Sequence, residues 1–184
     1  MRAERAFNQG CIIAVTIYFL LAGIFYYAAG SQLFERTANK QIQSQRVESV
    51  TGEFAQGYRV RQTFRCDMDT LEGFAFYIAS FQRMNKGHLD VRLYDDTEGR
   101  LVYENRIDMA KTQEGKKVES VLPQRLEHLR GHKMAIELHS QDGMAGSAAG
   151  VWYHLSDVPK NQRLFINGDA AEGVLCFDTY GTDL

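Results

Sequence analysis

The sequence predicts an all-β antiparallel sandwich preceded by a single N-terminal transmembrane helix. Three observations carry that expectation. One uncharged apolar block, "CIIAVTIYFLLAGIFYYAAG", runs from Cys11 to Gly30. From Gly57 onward, short runs of alternating apolar and polar residues recur between turn residues. No helix-length apolar pattern lies between those runs, which argues against alternating strand and helix units.

The apolar block comes first in the chain. At about 1.5 Å per residue, roughly 20 helical residues cross a hydrocarbon core of ~30 Å. Tyr26 and Tyr27 fall where an interfacial aromatic belt belongs. Arg2, Arg5 and the amino terminus precede the block against Glu4 alone, whereas Glu35 and Arg36 cancel after it. This bias predicts residues 1–10 as a cytoplasmic tail, 11–30 as the span and an extracytoplasmic bulk. A cleaved signal peptide, with Ala28 and Gly30 as its small-residue site, is the competing reading, although its apolar region is ordinarily only about 7–15 residues. A lipoprotein signal would place the apolar run before its cysteine, and here the run follows Cys11. A pilin-type leader would place a glutamate soon after its glycine, and Gly10 is followed by Cys-Ile-Ile-Ala-Val.

The 184 residues suit one modest domain with an appendage. Twenty-one Lys and Arg against 23 Asp and Glu leave no global field to attract nucleic acid. Residues 31–56 are polar, with spaced Leu33, Phe34, Ile42, Val47 and Val50. They are a juxtamembrane helix or a linker, and the pattern leaves both open.

Residues 57–184 are the expected sandwich domain. Its strand-like runs are "GYRVRQTFRC", "LEGFAFYIAS", "HLDVRLYD", "RLVYENRID", "KKVESVLP", "KMAIELHS", "GVWYHL", "RLFIN" and "GVLCFDTYG". Asn167-Gly168 suits a tight hairpin, because both central residues of such a turn need positive φ. "PQRLEHLRG" reads as a single helical turn or crossover, and "SQDGMAGSAAG" (Ser140 to Gly150) as an exposed loop. Alternation places Leu71, Phe74, Phe76 and Ile78 inside, with Ala75, Tyr77 and Ala79 opposite. Leu89, Val91, Leu93, Met134, Ile136, Leu138, Leu175 and Phe177 continue the core. A domain of this length buries an adequate core without disulfides or metals.

No catalytic set emerges, and the chain is expected not to be an enzyme. His128 and His132 have the i, i+4 spacing of a helical zinc pair, but Gly131 should end any helix and no glutamate follows His128. Ser147 lies in a small, flexible stretch without a nucleophile elbow. Asp67 with Asp69, and Asp95 with Asp96, sit in turns, where aspartate is favoured for local reasons. A glycosidase pair would have to face one cleft, about 5–9.5 Å apart.

The order of "QTF" (Gln62 to Phe64), an acidic turn, "LEGFAFYIA", "GHLDVRLYDDTEGRLV" and a closing "GVLCFDTYG" resembles a jelly-roll domain of bacterial envelope proteins. Such domains accompany membrane-bound glycosyltransferases and are similar to galactose-binding-like and carbohydrate-binding sandwiches. The likeness covers roughly Arg59 to Tyr180 and rests mainly on fold-determining positions. It implies a non-enzymatic binding or accessory module in envelope polysaccharide or glycoconjugate assembly. Its partners would be the membrane, a glycan ligand and a polytopic protein such as a glycosyltransferase, which would be a separate chain. A structural or assembly subunit, pilin-like or transferase-associated, is the alternative.

Glycan binding of this kind uses an aromatic face ringed by polar side chains. In "GVWYHLSD", Val151, Tyr153 and Leu155 share one face, so Trp152 is presented outward. Tyr94, Tyr103, Asn161, Gln162 and Arg163 complete the candidates. No cofactor is expected apart from a structural calcium, for which the resemblance implies Asp67, Asp69 and Asp178 as oxygen donors. It also brings the strands of Cys66 and Cys176 close, which leaves a disulfide or two buried thiols open. Cys11, within the span, should stay a free thiol.

Overall fold

The computed structural model describes residues 15–21, 37–39, 49–155 and 158–182. The chain divides into two compact units, Met1–Thr37 and Ala38–Leu184. In the first, residues 15–21 are helical, and Val15, Ile17, Tyr18, Phe19, Leu20 and Leu21 are exposed. The remainder of the expected span, with Cys11, and the flanking Arg2 and Arg5 lie outside the described residues. No helix among the described residues is long and apolar enough to cross a membrane.

The second unit is a β-sandwich of two antiparallel sheets, consistent with a jelly roll. One sheet holds β1 (Thr37–Asn39), β2 (Ser49–Val50), β4 (Leu71–Ala79), β7 (Lys117–Leu126), β9 (Gly150–His154), β12 (Val174–Leu175) and β13 (Phe177–Gly181). The other runs in the order β11-β10-β3-β8-β5-β6. Its members are β3 (Arg59–Arg65), β5 (His88–Asp95), β6 (Arg100–Asp108), β8 (Lys133–His139), β10 (Arg163–Ile166) and β11 (Asp169–Ala171).

The alternation delivers the core as expected. Phe64, Leu71, Phe74, Phe76, Ile78, Leu89, Val91, Leu93, Met134, Ile136, Leu138, Val151, Leu175 and Phe177 are buried in one cluster. Phe64 of one sheet meets Phe177 of the other with ring centroids 5.2 Å apart. Each such ring removed from water is worth about 1.5–3 kcal/mol. Ala75 and Ala79 are buried as well, because β4 is central and covered on both faces. Cys66 and Cys176 are both buried thiols that do not form a disulfide.

One polar residue joins the layers. Gln62 is fully buried; its Oε1 accepts from Leu175 N (2.9 Å) and its Nε2 donates to Thr63 O (2.9 Å). The bond is needed because β12 pairs with β9 and β13 with β4, so the chain changes neighbour at Cys176. A backbone N–H at such a switch is costly when buried without a partner.

Local turn chemistry holds at two sites. Asn167 and Gly168 adopt φ of 53° and 94° and close the β10–β11 hairpin, with Ile166 opposite Asp169. At the end of β5 the Asp95 carboxylate accepts from Thr97 N (3.0 Å) and Glu98 N (3.2 Å), turning the chain into β6.

Three expectations are corrected. Pro123–Leu126 extends β7 rather than forming a helical turn. Among the described residues β7 pairs only with β4, and the register shifts between Leu71 and Gly73, so the edge tolerates a proline and the extra residues. The Ser140–Gly150 stretch is not simply an exposed loop. Gly143, Ala148, Ala149 and Gly150 are buried, and a side chain at Gly143 would collide with the Phe54 carbonyl. The domain also begins before Gly57: Thr51 N donates to Val151 O (2.9 Å) and Phe54 N to Ala149 O (2.8 Å), with the Phe54 ring fully buried. Within 31–56 the described residues are thus strand and packed strap, with no helix among them.

Candidate functional site

The outward face of the β11-β10-β3-β8-β5-β6 sheet carries many charged side chains, and strand register sorts them into rows. In β3, Val60, Gln62 and Phe64 point inward, so Arg59, Arg61, Thr63 and Arg65 point outward. Cross-strand pairing sets Phe165, Arg61, Glu137, Arg92 and Glu104 in one row across five strands. The next row toward one end is Arg59, His139, Asp90 and Arg106. Toward the other end come Arg163, Thr63, Ala135 and Tyr94, and then Arg65 beside Lys133.

The central rows are charge-compensated. Arg61 reaches Asp96 (2.6 Å) and Glu137 (3.3 Å), and Arg92 reaches Glu104 (2.6 Å). Arg106 reaches Asp142 (3.1 Å) and Asp90 (3.5 Å). Glu137, only 7% exposed, also has Arg59 at 3.9 Å and Arg92 at 4.0 Å. His139 faces Asp90 at 3.6 Å, and burial followed by the Arg92 charge lowers its pKa. Asp142 accepts from the His88 ring and backbone (2.7 and 2.8 Å), and those bonds, with Arg106, lower its pKa to about 2.

The end rows are different. Thr63, Arg65, Lys133, Lys160, Asn161 and Arg163 line a cleft of about 300 Å³ closed at one side by Gly131. Among the described residues, four cations line it and no carboxylate does. Among the described residues, Lys133, Lys160 and Arg163 take no carboxylate partner. Gly131 has φ of +86°, and a side chain there would meet the Arg65 guanidinium at 3.2 Å, so the bare backbone makes room for that group. A second cleft of about 330 Å³ adjoins through Arg163 and Gln162, and Leu155, Val158, Leu164, Ala170 and Ala171 give it an apolar lining.

Of the ligand candidates, the structure brings Asn161 and Arg163 together in the cationic cleft, with Gln162 in the adjoining one. Tyr94 lies in the same cross-strand row as Arg163, under the Arg61 guanidinium at 4.9 Å. Tyr103 turns inward and packs edge-on against Phe74, centroids 5.9 Å apart. Trp152 belongs to the other sheet. It alternates with the buried Val151 as expected, but it is half-buried and its Nε1 donates to Glu114 (3.2 Å). Burial alone would raise the Glu114 pKa; bonds from Ser80, Gln82 and Trp152 outweigh that and lower it. Trp152 is therefore a latch on a turn, and Tyr103 and Trp152 do not share a site with Arg163.

Two of the three expected calcium donors hold cationic side chains. Both Asp69 oxygens accept from Arg130 (3.0 and 3.2 Å), and Asp178, 3% exposed, is held by Lys117. A different group, Asp95, Glu98 and His132, gathers ligand atoms within 4.8 Å. Its donors are engaged locally: Asp95 bonds the β5–β6 turn and His132 Nδ1 (3.0 Å), and Glu98 bonds Arg100 (2.6 Å). His128 has φ of 60° in a turn, so it does not share a helical face with His132.

Sequence reasoning missed Thr63, Arg65, Lys133 and Lys160. A signal for part of the set was present, since "RVRQTFR" puts arginines at alternate positions on the face opposite its core residues. No protein-family model and no curated protein matches this chain.

Proposed function

We propose that the protein is a non-enzymatic, single-pass membrane protein whose extracytoplasmic β-sandwich is a binding or accessory module for envelope glycan assembly. The observation that carries this reading is the cleft at the end of the β10-β3-β8 face. It joins Asn161 and Arg163, both expected ligand contacts, to Thr63, Arg65, Lys133 and Lys160 around about 300 Å³. That volume is at the small end of the range for ligand sites, the size of one sugar unit rather than a long chain. Hydroxyl, amide and guanidinium groups together suit a polyhydroxylated ligand better than an apolar one. The uncharged Cys11–Gly30 block supports the anchor, with a polytopic membrane protein as the assembly partner.

A glycan array probed with the full chain in a mild non-ionic detergent tests the binding role. Selective retention of a small group of glycans is expected, reduced for Asn161→Ala. Uniform absence of binding across neutral and charged glycans overturns it. Protease protection in intact cells tests the topology, and a cytoplasmic sandwich would remove the envelope assignment.

A further inference from the structure

We propose that the cleft of Arg65, Lys133, Lys160 and Arg163 recognises a tetrahedral oxyanion ester, a phosphate or sulfate group carried on a sugar-sized ligand. This rests on the binding-module reading and adds the chemistry of the ligand.

The argument begins with charge. The chain as a whole has a formal charge of −2, and on the same sheet face Arg61, Arg92 and Arg106 each have carboxylates within 3.5 Å. Among the described residues, Lys133, Lys160 and Arg163 join Arg65 in lining the cleft, and no acid does. Asp96 and Glu137 pair with Arg61, Asp95 with His132 and Glu98 with Arg100. Like charges brought into one concavity repel, and a bound anion removes that repulsion.

Geometry then selects the class of anion. The cations come from four separate segments: Arg65 from β3, Lys133 from β8, Arg163 from β10 and Lys160 from the stretch before it. A carboxylate offers two coplanar oxygens, which one guanidinium fork can saturate. A phosphate or sulfate ester offers three terminal oxygens at tetrahedral angles and so accepts donors from several segments at once. The Thr63 hydroxyl and Asn161 amide on the same wall face the uncharged remainder of the ligand. With only about 300 Å³, the site takes a single substituted sugar unit.

Titration calorimetry on the full chain in non-ionic detergent decides it, with glucose 6-phosphate, glucose 6-sulfate, unsubstituted glucose, a single-stranded oligonucleotide and vesicles containing phosphatidic acid as probes. The two esters should bind and glucose should not, with affinity falling as salt rises. Arg163→Gln and Lys133→Gln should each weaken ester binding about tenfold, the loss of one charge-assisted hydrogen bond. Arg125→Gln, which removes an exposed cation on β7 of the other sheet, should leave binding unchanged. The phosphate and sulfate arms tell the two esters apart. Equal affinity for glucose and its esters, or indifference to Arg163→Gln and Lys133→Gln, overturns the proposal. Tighter binding of the oligonucleotide or the vesicles than of either ester also overturns it. If the array retains neutral glycans while the esters fail, the anion inference falls and the binding module stands. If both fail, the module falls too.

Discussion

The two ends of one sheet face make opposite use of the same residue types. In the middle rows, Arg61, Glu137, Arg92 and Glu104 alternate in sign across adjacent strands, and each side chain satisfies its neighbour. Toward one end, Arg65, Lys133, Lys160 and Arg163 meet, with no acid among the described residues of that lining. The first arrangement spends its charge on the fold. The second keeps charge available, at a cost in repulsion that the fold does not need to incur. A shared strand register produces both, since moving four residues along β3 and β8 passes from Arg61 and Glu137 to Arg65 and Lys133.

The comparison is broken most directly at Glu137. Glu137→Ala leaves Arg61, Arg59 and Arg92 around an empty position on a carboxylate that was 7% exposed. Because the arginines retain partial solvent contact, the expected loss is about 2–3 kcal/mol, toward the lower end of broken buried pairs, read from urea unfolding. An unchanged midpoint would show that the row is decoration.

The opposite sheet supplies a control. Trp152→Phe removes the Nε1 donor to Glu114 and should cost about 1 kcal/mol while leaving binding in the cationic cleft intact. Any change in ligand affinity would place Trp152 in the site after all.

Acid sharpens the contrast. The bonds from His88, then Arg106, hold Asp142 at a pKa of about 2, below its ordinary 3.8. A depressed carboxyl stabilises the fold above its ordinary pKa, and that contribution is lost as pH falls from near 4 through about 2. Asp142→Asn should flatten this part of the stability profile, whereas Lys133→Gln should leave it in place.

The smallest effect is expected in the cleft itself. Arg163→Gln and Lys133→Gln should shift unfolding free energy by no more than about 0.5 kcal/mol, with any change toward greater stability as repulsion is relieved. Losses comparable to Glu137→Ala would mean that the two ends do the same work.

How much of this was legible follows from how far apart the interacting residues lie in the chain. The core was readable because period-two burial is local: Phe74, Phe76 and Ile78 declare their face within five residues. The Asn167-Gly168 hairpin was readable for the same reason. Pro123–Leu126 was misread because leucines at 122, 126 and 129 imitate a helical stripe, while an irregular edge pairing with β4 holds the segment extended. The cleft was half readable. Asn161 and Arg163 stand near each other in the chain, whereas Arg65 and Lys133 meet only through the register of β3 with β8, which no local pattern specifies.

The strap from Thr51 to Phe54 has a mechanical meaning. Residues 49–54 join the sandwich through β2 on β9, two further backbone bonds and the Phe54 ring seated against the loop that contains Gly143. Tension transmitted along the chain from its N-terminal side passes β1, three residues long beside β13, and then this short clasp before it reaches β3. Six residues should peel at a lower force than the seven-residue register between β3 and β8. β1 and the clasp would then act as weak links that yield before β3 and leave the charged sheet face intact under load.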